Sequence, residues 1–171
     1  MRVAAIDIGT NSVRLLIATL EGKTLVNKEK ALSMTRIGKD VDATMMLRED
    51  RMQATIEALI AYKEKVDALG IKGCPVFATS AVRDAKNRED FIARVKAATG
   101  FDVNVIPGDL EAELGFLGVV SGSGALAMQG NSLIIDIGGG STELIIGTEK
   151  GQIVSAHSLN IGAVQIGRAH V

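Results

Sequence analysis

Tryptophan is absent from this 171-residue chain, aromatic residues make up only 3%, and cysteine occurs once, at Cys74. A core must therefore be built from Ile, Leu, Val, Ala and Met. A single cysteine excludes an internal disulfide framework and a Cys-based metal site, and beside Val76, Phe77 and Ala78 it reads as a small buried hydrophobe. Charge of one sign is also lacking. A formal net charge of −1 argues against a general nucleic-acid or anionic-membrane surface, which would need clustered Lys and Arg, but leaves room for a local basic pocket. No apolar run approaches a membrane span. The opening Met-Arg-Val-Ala-Ala-Ile-Asp meets charge too early for a signal peptide, so the reducing cytoplasm is the expected location. What is present, 47% hydrophobic and 23% charged residues, suits one globular domain, or a domain and a piece of another.

The most informative stretch is Leu133–Gly147, Leu-Ile-Ile-Asp-Ile-Gly-Gly-Gly-Ser-Thr-Glu-Leu-Ile-Ile-Gly. Leu133–Ile137 reads as a buried strand, and the glycines after it predict a sharp turn that exploits their access to positive φ. Such a turn leaves backbone N–H groups converging, the arrangement that cradles phosphate oxygens. Asp136 and Glu143, on either side, are hard oxygen ligands suited to a divalent cation on that phosphate. An ordinary hairpin would not need both acids.

In chain order, Val3–Ile8, Val13–Leu20 and Thr24–Ser33 predict an antiparallel meander. Leu47–Leu69 has helical spacing and stops at Gly70. Val76–Thr79 is a strand, and Asn87 is the predicted N-cap of a helix running to Thr99 before Gly100. A strand at Val103–Ile106 and a helix at Leu110–Val120 follow. Ser121–Asn131, rich in small polar residues, reads as a boundary. Strands at Leu133–Ile137, Glu143–Gly147 and Ile153–Leu159 come after it. Lys63, Lys65 and Lys72, with Glu57, Glu64 and Asp67, read as a solvated helix face.

The opening recurs. Ile6-Asp7-Ile8-Gly9-x-x-Ser12-x-x-Leu15-x-Ile17 aligns with Ile135-Asp136-Ile137-Gly138-x-x-Ser141-x-x-Leu144-x-Ile146. The identical spacing predicts a duplicated domain, with one turn at each wall of a cleft.

Asp7-x-Gly9-Thr10-Asn11-Ser12 and Asp136-x-Gly138-Gly139-Gly140-Ser141-Thr142-Glu143 resemble the paired phosphate loops of the actin-like, hexokinase and heat-shock ATPase superfamily. More narrowly, the chain resembles the exopolyphosphatase and guanosine pentaphosphate phosphohydrolase family. Three stretches carry the narrower match: Ala78-Thr79-Ser80-Ala81-Val82-Arg83-Asp84-Ala85-x-Asn87, Ile106-x-Gly108-x-x-Glu111-Ala112, and Ser158-Leu159-x-Ile161-Gly162-Ala163-Val164.

The resemblance implies an α/β fold. An actin-like (ribonuclease H-like) domain, with a mixed five-stranded sheet and flanking helices, is expected over 1–121. A linker at 122–131 and the first β-strands of a second, similar domain over 132–164 follow. It implies release of terminal phosphate from inorganic polyphosphate or guanosine pentaphosphate, with Mg²⁺ or Mn²⁺, and a full-length protein that forms a homodimer. Glu111 falls on the catalytic glutamate, Arg83 on a phosphate-contacting arginine, and Asp7, Asp136 and Glu143 on acidic metal-site residues. Gly9, Thr10, Asn11, Ser12, Gly138, Gly139, Gly140, Ser141 and Thr142 fall on the phosphate loops. The pattern departs at Leu110, where the family usually has a first glutamate, and at Pro107.

Phosphoanhydride hydrolysis needs positioning, charge neutralisation and an oriented water. Two N–H-rich loops, a cation and a bidentate arginine supply the first two, and Glu111 on a first helical turn suits a general base. Other readings stay open: Arg83 as a surface partner of Asp84, Glu89 or Asp90, and Glu111 as a carboxylate favoured by a helix N-terminus. Glu113 is expected to face solvent. An ATP-dependent sugar or acid kinase of the same superfamily would use the same loops, as would a non-catalytic actin-like nucleotide-binding protein.

From Gln165 the sequence leaves the family pattern. One codon choice for Gln165–Val171, CAG ATC GGA AGA GCA CAC GTC, reads from its second base as a sequencing adapter and runs in frame into TGA. Residues 165–171 are therefore expected to be artefact. The chain as written is then expected to be inactive or nearly so, and prone to aggregate through uncovered strands.

Overall fold

The computed structural model describes residues 1–122, 130–148 and 151–168. Its contacts divide the chain into two units, Met1–Val105 and Ile106–Val171.

The first unit begins with the predicted meander: β1 (Arg2–Ile8), β2 (Val13–Glu21) and β3 (Thr24–Ser33). A short helix α1 (Val41–Thr44), which the sequence did not announce, leads to the long helix α2 (Glu49–Ala68). Then come β4 (Val76–Ala78), a second unannounced short helix α3 (Ser80–Asp84), α4 (Arg88–Thr99) and β5 (Val103–Val105). The sheet order is β3-β2-β1-β4-β5. β1–β2 and β2–β3 are antiparallel, while β1–β4 and β4–β5 are parallel. This is the mixed five-stranded sheet of the actin-like class.

Helix α2 forms because Met52, Thr55, Ile56, Leu59, Tyr62 and Val66 recur every three or four residues, and all are buried. Its end follows the Gly70 expectation closely. Gly70 sits at φ 66° and donates its N–H to Asp67 O, while Ile71 N–H reaches Val66 O, the paired bonds of a Schellman closure. Asn87 behaves differently from expectation. It occupies the N-cap position of α4 but makes no side-chain cap bond. Its amide instead accepts from Leu47 N–H at 2.8 Å and donates to Leu47 O at 3.0 Å. Leu47 lies outside any helix or strand, so its backbone N–H and C=O have no ladder partner, and a carboxamide satisfies both at once.

The second unit holds α5 (Gly108–Gly122), β6 (Asn131–Ile137), β7 (Thr142–Thr148), β8 (Ile153–Leu159) and a terminal turn of helix, α6 (Ala163–Arg168). The sheet is antiparallel in the order β6-β7-β8. Of the predicted linker, 123–129 lie outside the described residues, as do 169–171 of the tail. Ala112 and Phe116 of α5 are buried with Ile145 of β7, and Ile134 packs against them. Because α5 covers one face, β6 is not the fully buried strand expected: Leu133, Ile135 and Ile137 are 59, 54 and 65% exposed. Alternate residues of a strand point to opposite faces, and on β6 the apolar run serves both.

No helix among the described residues is long and apolar enough to cross a membrane.

Candidate active site

In the first unit, β1 and β2 are joined by Gly9–Ser12, with Ile8 paired to Val13. Gly9 N–H donates to Ser12 O at 3.0 Å, closing the loop. Thr10 and Ser12 are buried. The Thr10 and Ser80 hydroxyls lie 2.8 Å apart, and Thr79 N–H donates to Ile8 O. The loop is thereby tied to α3, which carries Arg83. That side chain is 19% exposed, and its Nε lies 3.9 Å from Asp84 Oδ1. Of the alternative partners, Glu89 pairs with Arg88 and Asp90 with Arg94. Asp7 stands across the ladder from Arg14, with 4.0 Å between Oδ2 and Nη1.

The second unit repeats the device. Gly138–Ser141 joins β6 to β7, Ile137 pairs with Thr142, and Gly138 N–H donates to Ser141 O at 2.9 Å. Ser141 is buried. Neither Gly9 nor Gly138 lies in the left-handed region, so positive φ is not what glycine supplies at these loop entries. Close approach is: a Cβ on Gly138 would meet Ser141 O at 3.0 Å, and one on Gly9 would meet Ser12 O at 3.3 Å.

The duplication extends further than the sequence pattern. In each copy the chain leaves the third strand and lays an Ile-Gly pair against the loop, Ile37-Gly38 in the first and Ile161-Gly162 in the second. Gly38 N–H donates to Thr10 O, and a Cβ on Gly38 would fall 2.3 Å from Thr10 Cγ2. A Cβ on Gly162 would fall 2.3 Å from the carbonyl of Gly139, the position that the repeat aligns with Thr10. Ala163 and Val164 N–H donate to Gly138 O and Gly139 O, and Thr142 Oγ1 donates to Ile161 O. The signal was legible as two Ile-Gly dipeptides following third strands, but only the contact gives it meaning.

Asp136 and Glu143 are direct cross-strand partners. Glu143 is 2% exposed, and Ser158 Oγ, opposite it on β8, donates to its Oε1 at 2.8 Å. Helix α5 lies over this face of the sheet. A Cβ on Gly108 would meet Ser158 at 2.6 Å, and one on Gly115 would lie 3.6 Å from Asp136 Oδ2. Glu111 is three residues after Gly108 and four before Gly115, so it shares their helix face. It is half-buried, whereas Glu113 is exposed. The second unit therefore holds Glu111, Asp136, Glu143 and the Gly138–Thr142 loop. Asp7, Arg83 and Gly9–Ser12 belong to the first.

Among the described residues, no group of three or more His, Cys, Asp or Glu side chains gathers closely enough to hold a metal. Asp136 and Glu143 still fit an ion such as Mg²⁺, which commonly takes one or two carboxylates and completes its shell with water and phosphate oxygens.

Residues 16–171 match the Ppx/GppA phosphatase family. The chain belongs to that family. It is 42% identical over 170 residues to a bifunctional 3-dehydroquinate synthase/phosphatase of Fusobacterium nucleatum, covering 95% of this chain and 25% of the relative. It is 37% identical over 175 residues to exopolyphosphatase 2 of Mycobacterium tuberculosis, covering 96% and 53%. It is 34% identical over 167 residues to a guanosine-5'-triphosphate,3'-diphosphate pyrophosphatase of Pseudoalteromonas atlantica, covering 98% and 32%. The chain thus spans between a quarter and about half the length of these relatives.

Two solved structures superpose closely. An exopolyphosphatase from Cytophaga hutchinsonii matches with a TM-score of 0.89 at 34% identity, over 100% of this chain and 54% of that one. The Aquifex aeolicus Ppx/GppA phosphatase matches with a TM-score of 0.81 at 37% identity, over 99% and 55%. The ethanolamine utilization protein EutJ from Carboxydothermus hydrogenoformans, at a TM-score of 0.51 and 18% identity over 99% and 56%, shares the fold alone.

Proposed function

We propose that the protein carrying this chain hydrolyses the terminal phosphoanhydride of inorganic polyphosphate or guanosine pentaphosphate. Relatives named exopolyphosphatase and guanosine-5'-triphosphate,3'-diphosphate pyrophosphatase support that substrate class. Glu111 accepts a proton from water, the water oxygen bonds to the terminal phosphorus, and the bridging P–O bond breaks with its electron pair leaving on the shortened chain. In the second unit the Gly138–Thr142 loop offers N–H groups to phosphate oxygens, and in the first unit Gly9–Ser12 and Arg83 do so. Mg²⁺ or Mn²⁺ at Asp136 and Glu143 supplies charge neutralisation. The reaction belongs in the cytoplasm.

The observation that carries this reading is the shared helix face of Gly108, Glu111 and Gly115, packed over Ser158 and Asp136. Glu111 is a half-buried carboxylate on that face. Glu111→Gln tests it. Phosphate release should fall by about two orders of magnitude or more, the usual share of a positioned base, while substrate affinity stays. Undiminished turnover in that variant would sink the assignment.

A further inference from the structure

We propose that Arg36 is a substrate-anchoring and specificity-determining residue, which grips phosphates of a polyanionic chain beyond the one held at the Gly9–Ser12 loop. The inference rests on the function proposed above and names a contact which that function leaves unassigned.

Arg36 lies at φ 53°, in the left-handed region. Asn and Asp enter that region through local side-chain hydrogen bonding, but an arginine there is strained. Its own N–H donates to Asn11 O at 2.9 Å, and Gly38 N–H two residues on donates to Thr10 O at 2.9 Å. The side chain is therefore rooted at the Gly9–Ser12 loop. The residue is exposed, and among the described residues its guanidinium makes no hydrogen bond or ion pair. The neighbouring Asp40 is already engaged by Arg48 at 3.1 Å.

A second local cost sits beside the first. Thr35 is 4% exposed, and its Oγ1 has no hydrogen-bond partner among the described residues. Strain and an unsatisfied buried hydroxyl at adjacent positions point to a site kept for function.

The internal repeat separates what the fold needs from what the ligand needs. In the second copy the residue before the Ile-Gly pair is Asn160, and the glycine still seats on its loop. The clamp thus forms without arginine. What arginine adds is a planar fork matched to phosphate oxygens. A single orthophosphate would be satisfied by the Gly9–Ser12 loop, whereas a long chain has further phosphates within reach of such a group.

The test compares the full-length protein that carries this chain with its Arg36→Gly and Arg36→Lys variants by isothermal titration with long-chain polyphosphate and with orthophosphate. Glycine removes the guanidinium and relieves the left-handed strain, so thermal stability should hold or rise. Polyphosphate affinity should fall about tenfold in Arg36→Gly, a loss of about 1.4 kcal/mol, and less in Arg36→Lys, while orthophosphate affinity stays within about twofold. Unchanged polyphosphate affinity in Arg36→Gly overturns the role of Arg36 and leaves the hydrolase reading standing. Equal loss for both ligands with a lowered Tm makes Arg36 structural and also overturns it. Failure of the unaltered protein to bind polyphosphate overturns the hydrolase reading itself, and this inference with it.

Discussion

Asp136 and Glu143 face each other across β6 and β7, and the same ladder position in the first copy holds Asp7 and Arg14. One copy of the hairpin thus carries its own cation, while the other sets two acids opposite each other, with Glu143 buried. Like charges so placed are destabilising, and a divalent ion would turn the pair favourable. Mg²⁺ or Mn²⁺ with phosphate should raise Tm in the unaltered protein and fail to do so in Glu143→Gln, with Mn²⁺ binding followed by electron paramagnetic resonance. Arg14→Gln should respond like the unaltered protein. An undiminished metal response in Glu143→Gln would remove the ion from this pair.

Gly147 and Phe116 define the tightest packing of the second unit. A Cβ at 147 would lie 2.0 Å from Phe116 Cε2, and the ring is fully buried. Gly147→Ala should destabilise by about 1–3 kcal/mol, as overpacking does. In Phe116→Leu the added methyl has room, so a double-mutant cycle by urea unfolding should show strongly non-additive costs. Additive costs would mean that the two do not share a packing constraint.

Asn87 links two distant segments rather than capping its helix. Asn87→Ala strips Leu47 of both backbone partners and should cost about 1–3 kcal/mol. Asn87→Asp is the sharper variant. A capping position accepts aspartate readily, whereas here the carboxylate would meet the Leu47 carbonyl. Chemical denaturation should therefore rank Asp well below Asn, and equal stability would restore the cap.

Cys74 is half-buried against the first core, and burial pushes its thiol up to about 11. Iodoacetamide labelling followed by mass spectrometry should be slow at pH 8 and accelerate toward pH 11. Folding linkage has the same sign. The folded thiol holds its proton above the free value of 9.0, so this contribution is complete below pH 9 and is lost as pH rises from about 9 to 11. Labelling at the rate of a free cysteine at pH 8 would contradict the burial.

Leu133, Ile135 and Ile137 present an exposed apolar row on β6. Such a patch drives association. Sedimentation should show concentration-dependent self-association, reduced in Ile135→Thr, which keeps strand propensity while removing apolar surface. Equal association in the variant would place the contact elsewhere.

The sequence by itself determined the strand meander, the end of α2 at Gly70, the two loops and the family, because each is written in local chemistry: alternation, helical spacing, a terminal glycine, and a repeated Asp-x-Gly-x-x-Ser. It also marked Glu111, Asp136 and Glu143 through motif position. Tertiary structure alone decided what depends on partners far along the chain. Glu143 gains Ser158, Thr10 gains Ser80, Asn87 turns from a cap into a clasp on Leu47, and the two Ile-Gly pairs become wedges against the loops. The burial of β6 could not be read from its apolar run for the same reason. Whether a strand is covered on one face or two depends on what packs against it, and here α5 covers only one.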